Sequence, residues 1–325
     1  MERQNPRRRA STGLSNSRAT MIADHYDIPA ALEPITDQEF GLFQKLIYRE
    51  AGIHLAPYKK ALLEARLSKH IRELRLPSFG AYFQFVAKEH RGDELIRMLD
   101  FVSTNETHFF REPRQFEFLE AQVIPQWHAQ TAAGIKAKHI RVWSAGCSTG
   151  EEAYSIAMLL MAYFPADDGW ELEILATDLS TRVLKLAQSA VWPIDKAKEI
   201  PEKYLKRFML KGVGSQAGKM KARPEVISLI HFERFNLHSD SYPVTGQYDA
   251  IFCRNVLIYF DTLSRSRVIE RLIDCLNPSG YLFIGHAESL NGITERARHV
   301  IPTVYAHAAA ACANQAPQLS RRQER

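Results

Sequence analysis

The chain has 325 residues, enough for about two domains with proper cores. A hydrophobic fraction of 46% and a charged fraction of 24% are ordinary for a globular protein and exclude a collagen, a mucin or a wholly disordered chain. The net charge of +5 sits at the ends: residues 1–20 hold five arginines against one glutamate, and the last fourteen residues hold three against one, which leaves −1 for the span between. That near-neutral span argues against reading the pI of 8.9 as the mark of a nucleic-acid partner.

The four cysteines, Cys147, Cys253, Cys275 and Cys312, are widely spaced and include no C-x-x-C pair. A disulfide framework or a zinc ribbon needs tighter spacing, so a reducing compartment is expected. No apolar segment follows the N-terminal arginines, which speaks against a secretory signal. The longest apolar stretch, Ile156 to Phe164, falls far short of the ~20 residues that span a bilayer. The expectation is a soluble, cytoplasmic protein.

Residues 1–33 are rich in Arg, Ser and Asn without hydrophobic periodicity and read as a disordered basic arm; 311–325 read likewise. Over 34–102 the pattern is helical. Thr36 and Glu39 form a capping box, Phe40, Phe43 and Ile47 share the face that follows, and Gly52 ends the helix. A second helix is expected from about Pro57 to Leu74 with Leu63, Leu67, Ile71 and Leu74 as its apolar stripe. Ser78 can cap a third, and Leu95, Met98, Leu99 and Val102 face one way on a fourth.

Beyond Trp127 strands and helices alternate. Strands are expected at 140–145, 172–178, 249–255 and 281–285, with helices at 153–164, 181–190 (capped by Ser180) and 263–276 between them. This alternation predicts an α/β layer with a mainly parallel sheet covered on both faces, and ligands at the C-terminal edge of the strands. From Trp192 to Gly246 prolines and glycines break the alternation, as in a small antiparallel insertion at about 200–230.

The turn after the first strand, GlyCysSerThrGly (146–150), admits three readings. It fails as a dinucleotide fingerprint, because its spacing is G-x-x-x-G. It matches the G-x-S-x-G nucleophile elbow, with Ser148 as nucleophile. A third reading combines it with Asp178 at the tip of the next strand: a small-residue turn approached by a nucleoside whose ribose hydroxyls bond the acid. A merely tight turn is the plain alternative. Thr149 and Glu152 look like a capping box, which counts against the elbow. Glu151 and Glu152 would repel a pyrophosphate at this helix start but suit a cationic nucleoside such as S-adenosylmethionine.

Five segments carry a resemblance: FVSTNETHFFRE (101–112), VWSAGCSTGEEAYS (142–155), ATDLS (176–180), DAIFCRNVLIYFD (249–261) and GHAES (285–289). In order and spacing they closely resemble the chemotaxis receptor methyltransferases of the CheR type, over about residues 36–307. The resemblance implies a class I methyltransferase (Rossmann-like) α/β sheet with an N-terminal helical domain at 34–102, a methyltransferase domain at 103–310 and an inserted β-subdomain. It implies an S-adenosylmethionine-dependent protein-glutamate O-methyltransferase that forms glutamate methyl esters on methyl-accepting receptors, works as a monomer, and needs neither metal nor nucleic acid. Family cofactor positions fall on Asn105, Thr107, Arg111, Glu151, Asp178, Asn236, Leu237, Arg254 and Asn255, and positions linked to methyl transfer on Arg111 and Tyr259. Ser148 stands where generic class I enzymes often have glycine, as it does in the CheR-type pattern, and His108 takes no role.

The chemistry agrees with that implication. A glutamate with a reference pKa of about 4.3 is already ionised at neutral pH and attacks a methyl without a general base. The middle strand runs into ArgAsnValLeuIleTyr, unlike the Asn-Pro-Pro-Tyr signature of nucleobase N-methylation. Singly, each residue has a plainer explanation: Asp178 as a helix cap, Asn255 as a turn residue, Arg111 in a surface ion pair, Tyr259 in the core. A methyltransferase acting on a small acid or RNA and a non-catalytic binding module stand as the competing classes. Arg66, Lys69, Arg72 and Arg75 recur every three residues opposite the leucine stripe; this is either a solvated face or a docking surface for an acidic receptor helix. In relatives with a β-subdomain, a receptor's C-terminal tether peptide is captured there by strand addition.

Overall fold

The computed structural model describes residues 32–88, 92–242 and 247–308. The basic arm, apart from Leu32 and Glu33, and the 311–325 tail with Cys312 lie outside the described residues, as does Gly246. The chain divides into two compact units, one running to Leu46 and resuming over Leu55–Val102, the other comprising Ile47–His54 and everything from Ser103 on.

Helix α1 (Asp37–Ala51) as far as Leu46, with α2 (Lys60–Glu73), α3 (Phe79–Lys88) and α4 (Asp93–Val102), supplies the first unit. The capping box forms: the Thr36 amide donates to Glu39 Oε2 at 2.9 Å and the Glu39 amide to Thr36 Oγ1 at 3.2 Å. Burial alone would raise the Glu39 carboxyl, but the bonds from Thr36 and Gly80 and the charge of Lys60 hold it below its ordinary range. Ser78 caps α3 through the Ala81 amide at 3.0 Å. Leu63, Leu67 and Ile71 on α2 and Leu95, Met98, Leu99 and Val102 on α4 are all buried. α2 stops one residue short of Leu74, and Arg75 closes it at φ 55.

The second unit is built on seven strands: β1 (His139–Ala145), β2 (Glu171–Asp178), β6 (Ile230–Arg234), β7 (Tyr248–Cys253), β8 (Leu276–Ile284), β9 (Ala297–Ile301) and β10 (Val304–His307). Their order is β6-β2-β1-β7-β8-β10-β9; the first five are parallel, and β10 runs antiparallel to both β8 and β9. Every residue of β7 is buried, the mark of a central strand covered on both faces. Side-chain alternation builds one core on each face. Val142, Ile174, Phe252 and Phe283 belong to one, and Trp143, Leu175, Ile251 and Leu282 to the other.

Three features exceed the sequence expectations. β6 and β9 carry too few consecutive apolar residues to show as strands, because edge strands are buried on one face at most, and β10 between β8 and β9 is only four residues long. A helical run from Pro113 to Ala132 contains Pro125, which suggests a break; the turn Leu119–Val123 widens to a π-helix just before it. The small antiparallel sheet has the order β3 (Val191–Pro193), β5 (Lys219–Ala222), β4 (Met209–Lys211), so it starts nearer to β2 than expected and ends before 230. Helices α5 (Pro113–Phe118) and α6 (Ile124–Ala132) flank that π turn, α7 (Glu151–Tyr163) after β1, α8 (Thr181–Ser189) after β2 and α11 (Thr262–Asp274) after β7 supply crossovers, and the short α9 (Glu202–Phe208) and α10 (Pro224–Ile227) lie between β3 and β6. No described helix is long and apolar enough to cross a membrane.

Gly146 ends β1 at φ +93, and a Cβ on it would lie 2.4 Å from Val256 Cγ2. Gly146→Ala should therefore destabilise the fold by more than about 1 kcal/mol, read as a lower urea midpoint. Adding Val256→Ala should recover only part, since the left-handed backbone remains. An unchanged midpoint in the single variant would contradict this account.

Candidate functional site

The C-terminal ends of β1, β2, β6, β7 and β8 form one edge of the sheet, and the turns that leave it bring most of the expected site residues together. After β1, Ser148 takes φ 51 and Gly150 φ 96 before α7 begins. The Ser148 amide donates to Asp178 Oδ2 at 2.9 Å and the Ser180 amide to Asp178 Oδ1 at 2.9 Å. Asp178 thus ties the first turn to the second, and Ser180, not Asp178, is the residue that caps α8. The Ser148 hydroxyl donates to the Asn105 carbonyl at 2.9 Å. A carbonyl oxygen cannot take a proton as a histidine would, so the nucleophile-elbow reading fails on geometry despite the strained turn.

The expected capping box of Thr149 and Glu152 does not form. Gly150 occupies the cap position, and the Thr149 hydroxyl donates instead to Glu151 Oε2 at 2.6 Å. Glu152 turns inward, accepting from Ser144 Oγ at 2.6 Å and from Arg254 Nε at 2.6 Å. Arg254, 6% exposed, also donates from Nη1 to the Arg111 carbonyl at 2.6 Å and to Gln115 Oε1 at 3.1 Å. Glu151, 1% exposed, accepts from Lys196, which also donates to the Thr107 carbonyl at 3.2 Å. Both turn carboxylates are therefore paired with cations of the protein.

The segment 105–111 is fastened at several points. The Phe109 amide donates to Glu199 Oε2 at 3.0 Å and the Phe110 amide to Ser155 Oγ at 2.9 Å. Arg111 lies between Phe110 at φ 49 and Glu112 at φ 59, and its Nη1 donates to the Glu106 carbonyl at 3.1 Å. Beyond β6, Asn236 donates from Nδ2 to the Glu50 carbonyl at 2.6 Å and accepts the His238 amide at 3.0 Å; Leu237 beside it is buried.

After β7, Asn255 adopts φ 59, and its amide donates to Glu288 Oε2 at 3.1 Å. Glu288 also accepts from the amides of Gly285 at 2.5 Å and Ile258 at 3.2 Å, lacing the turn after β7 to the turn after β8. Burial pushes its carboxyl above the ordinary carboxylate range, against the pull of the surrounding amides. The two turns pass so closely that a Cβ on Gly285 would sit 2.6 Å from Asn255 N. Tyr259 follows on a short turn, Leu257–Tyr259, held by Arg265, which donates to the carbonyls of Leu257 and Phe260 at 3.2 Å each. The Tyr259 carbonyl accepts the His54 amide at 2.8 Å.

Among the described residues, two polar atoms at this edge are buried and have no hydrogen-bond partner: Asn105 Nδ2, a donor, and Asn255 Oδ1, an acceptor. Such an atom costs about 1–3 kcal/mol, and both belong to expected cofactor positions. Sequence reasoning passed over Glu288, Lys196, Gln115 and Ser155. Glu288 lies in the GHAES segment and Ser155 closes the 142–155 segment, so both could have been singled out there; Lys196 and Gln115 have no local signature. Among the proposed docking cations Lys69 and Arg72 are exposed on α2, Arg66 donates to the Val102 carbonyl, and Arg75 lies past the helix end.

The raised Glu288 carboxyl has a stability consequence. The folded state binds its proton more tightly than the unfolded state, so its contribution is largest at acid pH and falls as pH rises through the folded pKa. The unfolding free energy of the wild type minus that of Glu288→Gln should decrease with rising pH above the ordinary carboxylate pKa. Urea titrations of both proteins across pH 4 to 8 would show it, and a rising difference would refute it.

Residues 105–306 match the family of the CheR methyltransferase SAM binding domain, and residues 38–103 match the CheR methyltransferase all-alpha domain. A chemotaxis protein methyltransferase of Borreliella burgdorferi is 35% identical over 272 residues, covering 83% of this chain and 94% of that protein. Chemotaxis protein methyltransferase 2 of Pseudomonas aeruginosa is 38% identical over 275 residues, covering 84% of this chain and 94% of that protein. The chemotaxis protein methyltransferase of Escherichia coli is 36% identical over 273 residues, covering 84% of this chain and 91% of that protein. Both matched domains and a sheet edge bearing the family's turns lead to one conclusion: the chain belongs to the CheR family of S-adenosylmethionine-dependent chemotaxis protein methyltransferases.

Proposed function

We propose that this enzyme methylates glutamate side chains of methyl-accepting chemotaxis receptors, converting carboxylates to methyl esters. The observation that carries the reading is the pair of orphaned buried amide atoms, Asn105 Nδ2 and Asn255 Oδ1, at the sheet edge where Asp178 stands. A ligand with both donors and acceptors relieves them, and S-adenosylmethionine has both. When bound, it supplies a methyl group activated by a sulfonium. In this reading Asp178 holds the ribose, Asn236 and Leu237 flank the adenine, and Asn105, Thr107, Glu151 and Asn255 line the rest. Arg254, engaged by Glu152, Gln115 and the Arg111 carbonyl, contributes by holding its neighbours.

Arg111 and Tyr259 are assigned to the methyl-transfer centre, where a guanidinium and a phenol orient the incoming carboxylate. No proton has to move. The acceptor is ionised at neutral pH, so alignment and exclusion of water are what the protein must provide. The exposed Lys69 and Arg72 of α2 are assigned to docking an acidic receptor helix. The edges of the three-stranded sheet, with Leu210 40% and Val213 80% exposed at the β4 side, are assigned to a receptor's C-terminal tether peptide. The enzyme acts in the cytoplasm as a monomer and requires no metal.

Incubation with tritiated S-adenosylmethionine and receptor-bearing membranes should give label that mild base releases as methanol; base-stable label would mean methylation at nitrogen. Asp178→Asn should weaken binding of S-adenosylmethionine about 10- to 100-fold by calorimetry, the loss expected for a charged hydrogen bond. Lys69→Glu with Arg72→Glu should raise KM for receptor several-fold, more at low salt than at high, without changing cofactor affinity. An unaltered receptor KM in that double variant would remove α2 from the docking surface.

A further inference from the structure

Lys196 lies outside every motif of the chain, on the turn Ile194–Glu199 that follows β3. Its ammonium donates to Glu151 Oε1 and to the Thr107 carbonyl, so it touches two of the positions assigned to the cofactor. The Glu151 side chain is 1% exposed and that of Lys196 is 26% exposed. An ammonium has three N–H donors, and the third has no partner among the described residues. The same turn carries Glu199, which accepts the Phe109 amide at 3.0 Å, so the turn anchors both ends of the stretch from Thr107 to Phe109.

A buried carboxylate beside a partly exposed ammonium is complementary to one chemical group above others, the α-amino acid head, which bears a cation and an anion on a single carbon. With Glu151 alone, a ligand of this kind would bring its own carboxylate toward a buried like charge. With Lys196 beside Glu151, each charge of the head meets its opposite, and the assembly is neutral. We propose that Lys196 and Glu151 together recognise the amino acid end of S-adenosylmethionine, Glu151 taking the ammonium and Lys196 the carboxylate. This rests on the cofactor assignment above and adds Lys196 to the binding residues as the group that discriminates for a carboxylated ligand.

The test compares S-adenosylmethionine with decarboxylated S-adenosylmethionine, which keeps the ammonium and the sulfonium and lacks the carboxylate. Calorimetric titration of the full chain should find the wild type binding the carboxylated compound more tightly. Lys196→Met should weaken that compound about 10- to 100-fold, as for a lost charged hydrogen bond, and leave the decarboxylated analogue bound at least as tightly as before. Lys196→Arg, which retains the charge, should stay within a few-fold of wild type for both, and thermal melting should find each variant folded. Equal weakening of both compounds would reduce Lys196 to a structural partner of Glu151 and overturn the proposal. Unchanged or tighter binding of S-adenosylmethionine to Lys196→Met would overturn it as well. A wild type that binds both compounds equally well would overturn the proposal while leaving the cofactor assignment standing; one that binds neither would sink both.

Discussion

The sheet edge depends on a buried ion pair. Arg254, at the end of β7, has a side chain 2% exposed, and it meets Glu152 from the first turn of α7, the Arg111 carbonyl and Gln115 from the helix beginning at Pro113. Its guanidinium also lies over the rings of Phe116 at 5.7 Å and Phe252 at 5.9 Å. Three segments far apart in sequence are fixed to one another by a single group. Desolvating two ions costs several kcal/mol each, and their attraction offsets this only with good geometry and further hydrogen bonds. The net stabilisation from such a pair is small. Its consequence is geometric: any other arrangement of these segments would leave a buried charge unpaired.

The other carboxylates of the edge follow the same logic with different partners. Asp178 is met by the amides of Ser148 and Ser180, Glu151 by Lys196, and Glu288 by the amides of Gly285, Asn255 and Ile258. Each acid joins two turns that leave different strands, so the ends of β1, β2, β7 and β8 carry a preformed rim. A rim held in this way loses little freedom when a ligand binds, which favours affinity. Among the described residues, two buried amide atoms of this rim, Asn105 Nδ2 and Asn255 Oδ1, keep no partner within the protein.

The helical unit has a polar centre of its own. Glu94 on α4 is buried, accepting from His70 Nε2 at 2.6 Å and from the Tyr82 hydroxyl at 2.9 Å. Burial and the adjacent carboxylate push the Tyr82 phenol far above its ordinary range. The three residues come from α2, α3 and α4, so this cluster, together with the leucine stripe, sets how the helix that presents Lys69 and Arg72 is rotated about its axis. The cations face outward because the opposite face of α2 is committed to the core.

Local patterns were legible where one segment contains its own signal. Thr36 with Glu39, Ser78, and the leucine spacing of α2 depend on contacts within a few residues, and an apolar run such as 249–253 announces a central strand. The order of the five motifs carried the family and, with it, the cofactor. The pairing of the acids was not legible, and there the reading of Glu152 as a cap went wrong. Glu152 and Arg254 are 102 residues apart, Glu151 and Lys196 are 45, and Asp249 holds Lys136 across 113. Sequence alone thus determined the elements, the alternation that makes the sheet and the chemistry gathered at its edge. Only the tertiary structure decided which charge neutralises which and which polar atoms stay unpartnered, because electrostatic energy depends on distance in space and on burial, and neither is a property of a position in the chain.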